Sequence, residues 1–316
     1  MKKLISFFLV IILVITNFQC FYCIKKIDLF NELGLFQGIE KSFAYEGILL
    51  ENTGIYYKNE NGEVIIVDFD GDDGRITNVE IPKNIDGNNV TTIGDSAFEN
   101  RTSLKSVKIP EGVTSIEKNA FGVCSSLDSI EIPSTVTNIG ENAFYGCINL
   151  KSIKIPNTVV SIGQSSFCGC ESLESIKIPE GITYIEDFTF CSCKSLKNIK
   201  IPKGVTGIGS YAFEFCEKLE GIQIPDSVTY IDPNAFIDCT SLTTIYGEKG
   251  SYAESYAKEN NLEFSTEELK DNVMEENTLD SNNKELNSDE SSSTENKNGI
   301  FNKIYEFFVF IKNLIF

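Results

Sequence analysis

The chain has 316 residues, of which 41% are hydrophobic, and this length suits one long domain or two ordinary ones with a substantial core. Histidine is absent, which removes the commonest general base and the commonest metal ligand and argues against an enzyme. The formal net charge of -19 argues against nucleic acid as a partner, because phosphate backbones select basic surfaces.

Residues 1–23 predict a secretory signal peptide or, as the alternative, an uncleaved N-terminal anchor. Lys2 and Lys3 precede an apolar run from Leu4 to Ile15, which is the layout of a signal peptide. No small-residue cleavage triplet follows, and an apolar segment of this kind could also remain as an anchor. Either alternative predicts a secreted or cell-surface protein.

A repeat of 23 residues organises the chain from residue 79 to residue 246, and we count seven copies of it. The phenylalanine of an Ala-Phe-like pair recurs at constant steps, at Phe98, Phe121, Phe144, Phe167, Phe190, Phe213 and Phe236. In the same register stand a leucine, from Leu104 to Leu242, and a β-branched residue, from Val107 to Ile245. Self-similarity at such a period is typical of a solenoid, in which each unit is one coil.

Each unit predicts two short strands and one tight turn. In the unit that begins at Leu150, Ser-Ile-Lys-Ile alternates as a strand does, and Pro156 ends it because proline cannot donate to a ladder. Residues 159–163 predict a second strand, and the Ala-Phe segment predicts a helical turn. One coil cannot bury its own apolar face, so stacking must align equivalent side chains in columns. The sequence therefore predicts a mainly β repeat solenoid with parallel strands.

The unit Leu-x-x-Ile-x-Ile-Pro-x-x-Val-x-x-Ile-Gly-x-x-Ala-Phe-x-x-Cys resembles the BspA-like (treponemal-type) leucine-rich repeat, over about residues 43–264. This resemblance implies a right-handed leucine-rich-repeat stack with an N-terminal β-hairpin cap at 43–78, around Asn61-Gly62, and a C-terminal helix/strand cap at 247–265. It also implies a surface protein associated with adhesion to host proteins or other cells, and the family has no shared catalytic residues.

The cysteines fall into two groups. Six share one repeat position and are predicted to be buried as small apolar side chains: Cys124, Cys147, Cys170, Cys193, Cys216 and Cys239. Cys168 and Cys191 occupy the position after the repeat phenylalanine, which we expect to face solvent on neighbouring coils. They form either a disulfide or two free thiols. We predict no metal site, because the Cys-x-Cys spacing and the absence of histidine do not suit zinc.

Lysines recur on the outward side of the predicted first strand and are the candidate partner-binding residues: Lys105, Lys108, Lys151, Lys154, Lys177, Lys197 and Lys200. One interpretation is a basic stripe for an acidic protein surface or a sulfated glycan. The other is a solubilising face whose lysines pair with glutamates on neighbouring coils, such as Lys108 with Glu131.

Two segments follow the cap. Residues 266–299 are acidic and poor in apolar residues, which predicts a disordered linker. Residues 300–316 turn apolar again with Lys303, Glu306 and Lys312 among them, which favours an amphipathic helix on a membrane surface. A helix that packs on itself or on a partner, and an anchor signal or truncated span, are the alternatives. Membrane association through the termini is therefore an open expectation.

Taken together, these patterns predict a non-catalytic surface or secreted protein that mediates protein–protein binding or adhesion, without a cofactor. The expected partner is a protein or glycan on a host or neighbouring cell. The alternative is a structural spacer or self-assembling component of a cell envelope.

Overall fold

A computed structural model describes residues 47–51, 53–71 and 76–270. These residues belong to the first of two compact units, Met1–Asn272, and the second unit, Val273–Phe316, lies outside the described residues. The predicted signal or anchor at 1–23, the linker beyond residue 270 and the apolar tail at 300–316 also lie outside them. Within the described ranges, no helix is long and apolar enough to cross a membrane.

The N-terminal cap is an antiparallel sheet of three strands, β1 (Ile48–Leu50), β2 (Ile55–Glu60) and β3 (Glu63–Phe69). The β2–β3 turn is made by Asn61 and Gly62, whose φ values of 56° and 87° suit a two-residue hairpin. The predicted capping hairpin is therefore confirmed, with β1 as an additional strand. β3 pairs in parallel with the first coil and so joins the cap to the solenoid.

The solenoid has two columns of short parallel strands. The first strand column comprises β4 (Asn78–Glu80), β7 (Ser106–Lys108), β9 (Ser129–Glu131), β11 (Ser152–Ile153), β13 (Ser175–Ile176), β15 (Asn198–Lys200), β17 (Gly221–Gln223) and β19 (Thr244–Tyr246). The second strand column comprises β6 (Asn88–Ile93), β8 (Ser115–Ile116), β10 (Asn138–Ile139), β12 (Ser161–Ile162), β14 (Tyr184–Ile185), β16 (Gly207–Ile208) and β18 (Tyr230–Ile231). The insertion in the first unit forms β5 (Asn84–Ile85), which pairs antiparallel with β6.

Equivalent side chains of successive coils lie side by side in the interior, as the repeat predicts. Ile153 pairs in register with Ile176, Ile199 pairs with Ile222, and all four are buried. The repeat phenylalanines stack from Phe98 to Phe236 with ring centroids 5.1 to 5.7 Å apart. Such stacked rings add favourable packing to the burial of apolar area, so the phenylalanines form a continuous spine.

The third side of each coil is built from tight turns, and the predicted helical turn is wrong. Two residues in each of six coils, and Asp238 alone in the last coil, adopt the left-handed conformation, which a right-handed helix does not contain. The first such corner is Ser96, Asn119, Asn142, Ser165, Phe188 and Tyr211. The second is Asn100, Val123, Gly146, Gly169, Ser192, Phe215 and Asp238. These corners turn the chain from the second strand column back to the first.

Strand pairing is interrupted near the middle of the stack. In the second column, one sheet ends at β12 and another begins at β14. In the first column, sheets end at β9 and at β13, and new sheets begin at β11 and at β15. The coil that contains β13 and β14 is therefore paired to the preceding coil through one column and to the following coil through the other.

The C-terminal cap is confirmed. The helix α1 (Tyr252–Glu259) begins at Ser251, whose side chain accepts a hydrogen bond from the backbone N–H of Glu254. The strand β20 (Glu263–Ser265) pairs in parallel with β19. Tyr256 of the helix lies edge-on to Phe236, with ring centroids 5.9 Å apart, and so covers the end of the phenylalanine spine.

Candidate binding face

The lysines singled out in the sequence lie on the outward side of the first strand column, which we call the strand face. Lys108, Lys154, Lys177 and Lys200 each follow the buried isoleucine or valine of a strand, and Lys200 alone of them is half-buried. Glu131 occupies this position on the strand between Lys108 and Lys154. Lys105, Lys151 and Lys197 are exposed in the adjacent row, beside the repeat leucines. The strand face therefore holds all seven lysines, in two neighbouring rows.

Three of these lysines pair with glutamates. The ammonium of Lys108 lies 2.6 Å from a carboxylate oxygen of Glu80, and that of Lys197 lies 3.4 Å from Glu174. The predicted partner of Lys108 was Glu131, so the pairing runs to the preceding coil instead. The hydrogen bond to Glu80 raises the pKa of Lys108. Exposed pairs of this kind contribute about 0–1 kcal/mol, so they tune the charge of the face more than its stability.

Three lysines at the centre of the strand face make no ion pair within the part of the chain that the structure describes, and we call them the basic centre. Lys154 and Lys177 lie on successive strands, and Lys151 is the neighbour of Lys154 in the adjacent row. No carboxylate of the described residues lies within ion-pair distance of these three, nor of Lys105. Among the residues described, the strand face therefore carries both paired and unpaired lysines, with Glu131 on the strand next to Lys154.

A segment of the chain itself crosses the strand face next to this basic centre. Leu269 is 6% exposed, and its Cδ1 lies 3.3 Å from the position that a Cβ on Gly221 would occupy. Its backbone N–H donates to Oε1 of Gln223 over 2.8 Å, and the Glu268 carboxylate lies 3.2 Å from the ammonium of Lys200. Leu269, in the start of the predicted linker, is thus packed on the coils, whereas the other residues of 266–270 are exposed.

Sequence reasoning missed the part of this site that holds Leu269. The space exists because residue 221 has no side chain, where the equivalent strand position carries Ser106, Ser129, Ser152, Ser175 or Asn198. The ring of Tyr246 closes the space on the other side, since its Cε2 lies 2.9 Å from the same hypothetical Cβ. The sequence did hold a signal for this space, because Gly221 stands where the repeat otherwise places serine or asparagine.

The six cysteines of the repeat form a ladder of thiols inside the stack. Each Sγ donates to the carbonyl of the repeat phenylalanine 26 residues earlier, over 3.0 to 3.3 Å. Five are fully buried as predicted, whereas Cys239 is half-buried near the cap. Burial raises the pKa of the Cys170 thiol to about 12. These thiols therefore serve packing and backbone hydrogen bonding.

Cys168 and Cys191 lie on neighbouring coils, and each is a free thiol. Cys168 is half-buried and Cys191 is 7% exposed, so the expectation that both face solvent is wrong for Cys191. The reason is local, because Sγ of Cys191 lies 3.4 Å from Oε2 of Glu214 and 3.6 Å from Oγ of Ser192. The predicted disulfide between them remains a prediction.

Coils with two short parallel strands, a turn-built third side and an interior of stacked leucine, isoleucine and phenylalanine define a leucine-rich-repeat solenoid. The family model described as BspA type Leucine rich repeat region matches residues 69–172 and 160–284, with six copies. The chain therefore belongs to the BspA-type leucine-rich-repeat family, as the sequence resemblance implied. This family and fold are typically non-catalytic.

The chain is similar to solved bacterial leucine-rich repeat proteins. The Leucine Rich Repeat protein of T. pallidum is 24% identical, with a TM-score of 0.58, and the match covers 69% of this chain and 98% of that one. A leucine-rich repeat protein from Bacteroides ovatus is 23% identical over 64% of this chain and 71% of that one, with a TM-score of 0.42. A leucine rich cell surface protein from Faecalibacterium prausnitzii is 23% identical over 66% and 97%, with a TM-score of 0.34. The likeness to the T. pallidum protein shows the fold. No curated protein matches the sequence.

Proposed function

We propose that this protein is a non-catalytic binding protein, secreted or displayed at the cell surface, whose strand face binds acidic segments of a partner protein. Membership of the BspA-type family supports a protein-binding or surface role. The signal-like residues 1–23 support the location. The partner, its chemistry and the binding residues are part of the proposal.

The observation that carries this proposal is the segment already lying on the strand face. Glu268 offers a carboxylate to Lys200, and Leu269 offers an apolar side chain to the space over Gly221. This is the pattern of a peptide–protein contact, with one buried apolar anchor and a charged contact at its rim. Lys154, Lys177 and Lys151 extend the positive charge beyond the segment and would meet further carboxylates of a longer acidic peptide.

Charge reversal on the strand face tests the proposal. The probe is an immobilised peptide that repeats residues 265–270 and continues with alternating Glu and Ser. The triple variant Lys154→Glu, Lys177→Glu, Lys200→Glu is expected to lose capture on this peptide. Capture by the unchanged chain should weaken as salt rises, because exposed charges are screened beyond about 10 Å at 0.1 M salt.

A matched control carries the same change in net charge away from the face. The variant Lys218→Glu, Lys249→Glu, Lys258→Glu alters three exposed lysines of the turns and the cap, and should be captured like the unchanged chain. Equal loss in both triple variants would show that net charge alone governs capture and would overturn the proposal. Capture of heparin together with indifference to the peptide would replace the protein partner by a sulfated glycan.

A structural role is the second candidate, and one feature favours it. β1 is the terminal strand of its sheet among the described residues, and its Ile48 and Leu49 are 57% and 47% exposed. An apolar edge strand is a template for pairing with another chain. Ordered self-association with rising concentration in light scattering, lost on Ile48→Lys, would support assembly over partner binding.

A further inference from the structure

Cys168 and Cys191 are a pair of cysteines on neighbouring coils outside the ladder, and their thiols interact, as do those of Cys216 and Cys239 within the ladder. They lie on neighbouring coils, whose backbones are joined beside them by the Gly169 N–H and the Cys191 carbonyl over 2.7 Å. The two thiols shift each other's pKa, while Sγ of Cys191 also lies 3.4 Å from Oε2 of Glu214. By contrast, the ladder thiols direct their hydrogen bonds to phenylalanine carbonyls. The two thiols therefore lie beside the same backbone hydrogen bond between the two coils.

The electronic state of the pair favours reaction at Cys191. The interaction with Cys168 lowers the pKa of Cys191, whereas the same contact and burial raise the pKa of Cys168. Thiolates are the nucleophilic form of cysteine, and burial that raises the pKa makes a thiol inert. Cys191 is therefore the reactive sulfur and Cys168 the resolving one, while the neighbouring ladder thiols Cys170 and Cys193 stay protonated.

The pair also lies at the step where strand pairing is interrupted. Cys168 belongs to the turn after β12, and Cys191 belongs to the turn after β14. These two strands are the neighbours in the second column that do not pair, although the turns beside the cysteines remain hydrogen-bonded. A covalent link between the two sulfurs would join two coils that are held by fewer backbone hydrogen bonds than their neighbours.

We propose that Cys168 and Cys191 are an oxidation site, at which a peroxide forms a disulfide that ties these two coils together. The Cys191 thiolate attacks one oxygen of hydrogen peroxide, the O–O bond breaks, and Cys191 becomes a sulfenic acid while hydroxide leaves and is protonated to water. The Cys168 sulfur then attacks the Cys191 sulfur, the S–O bond breaks, and a second water carries away the Cys168 proton. Peroxide takes up the two electrons. Its small size suits a sulfur that is almost buried.

Peptide mapping of the full chain tests the proposal. The reduced protein is treated with dilute hydrogen peroxide under native conditions, its remaining thiols are alkylated after denaturation, and it is digested with trypsin. Cleavage after Lys154, Lys177 and Lys194 places Cys168 and Cys191 in two different peptides, 155–177 and 178–194. The proposal expects these peptides to be linked and lighter by two hydrogen atoms. Two unlinked peptides with all their thiols alkylated would overturn it.

Each of these peptides also contains a ladder cysteine, so the connectivity needs its own control. The variant Cys170→Ala, Cys193→Ala should retain the link, and the variant Cys168→Ala, Cys191→Ala should lose it. If the variant Cys170→Ala, Cys193→Ala does not fold, fragment ions of the linked wild-type peptides identify which cysteines are joined. A link that persists without Cys168 and Cys191 would assign the oxidation to the ladder and contradict the proposal.

Thermal unfolding tests the consequence for the stack. A disulfide that closes a loop of this length raises the melting temperature of a domain of this size by about 5–10 °C. Peroxide-treated wild type should show this rise, and the Cys168→Ala, Cys191→Ala variant should melt at the same temperature with and without peroxide. A linked protein that melts no higher than the reduced protein would refute the stapling role.

Discussion

The guanidinium of Arg101 donates to the carboxylate of Asp68, with Nη2 and Oδ1 2.8 Å apart, and both residues are almost completely buried. Nε of the same side chain donates to the carbonyl of Phe69. One coil later, the Cys124 thiol makes the equivalent contact with Phe98. Arg101 thus takes the first place in the thiol ladder, and its extra length connects the first coil to the capping sheet.

Replacing Arg101 with methionine should destabilise the cap by about 3–5 kcal/mol, because Asp68 would keep a buried charge without its partner. Urea unfolding followed by circular dichroism measures the loss. Adding Asp68→Leu to Arg101→Met should recover much of it, since a buried ion pair can be exchanged for apolar packing at little cost. Lys118→Ala breaks an exposed pair with Glu141 and should change the stability by no more than about 1 kcal/mol. If Arg101→Met and Lys118→Ala lowered the stability equally, the buried ion pair of Arg101 and Asp68 would not have the role given to it.

The thiol ladder predicts a loss of stability at alkaline pH. Burial raises the pKa of Cys170 from 9.0 to about 12, so above pH 9 the unfolded chain has lost a proton that the folded chain retains. The contribution is complete below pH 9 and declines as the pH rises towards 12. Between pH 8 and pH 10, wild type should therefore lose about 1.4 kcal/mol more than Cys170→Ala. Parallel pH dependences of the two proteins would exclude a buried, protonated thiol.

The left-handed corners predict opposite changes in stability for two reverse substitutions, valine to glycine in one coil and glycine to valine in the next. Val123 has a φ of 58°, which is strained for a β-branched residue, whereas the equivalent Gly146 has a φ of 68°. Val123→Gly should stabilise the fold by about 1 kcal/mol, and Gly146→Val should destabilise it by about 1–2 kcal/mol. A Cβ at residue 146 would meet no atom closer than 3.6 Å, so sterically the two sites are comparable. Shifts of the same sign in both melting temperatures would show that the corners are not left-handed.

A buried hydroxyl at Ser166 predicts a stabilising substitution. Its Oγ has no hydrogen-bond partner among the described residues, and other coils place Ala97, Ala120 or Ala143 at this position. Ser166→Ala should raise the free energy of unfolding by about 1–2 kcal/mol, because it removes an unsatisfied polar atom from the core. Thr189 is the matched control, since its hydroxyl donates to the Glu186 carbonyl over 2.7 Å. Thr189→Ala should lower the stability, and a gain there would weaken the argument.

Much of the fold could be predicted from the sequence because the repeat spacing is constant. Seven phenylalanines at equal steps leave one arrangement that buries them all, which is a stack of coils in register. The corners were misjudged although a signal was present: Asn119, Asn142 and Gly146 are residue types that favour the left-handed region. An Ala-Phe pair suggests a helix only when these neighbours are ignored.

The candidate site was only partly predictable, because its parts are distant in the chain. The lysines recur with the repeat and so could be placed on one face. Leu269 lies 46 residues from the Gln223 that receives its N–H, in a segment whose acidic composition predicts disorder. Leu269 is nevertheless buried, because the space over Gly221 accepts its side chain. In the sequence, the only sign of this space is the glycine at position 221, where other coils carry a side chain.

Competition between the chain's own segment and an added peptide tests the central claim most directly. The measurement is the fluorescence anisotropy of a labelled peptide of residues 265–270 titrated with wild type, Leu269→Ala and Gly221→Ser. Leu269→Ala vacates the face and should bind the peptide several-fold more tightly than wild type, because the internal competitor is weakened. Gly221→Ser fills the space beneath Leu269. This variant should bind the labelled peptide less tightly than Leu269→Ala does. Equal affinities in all three proteins would contradict the claim that the strand face is a peptide-binding surface.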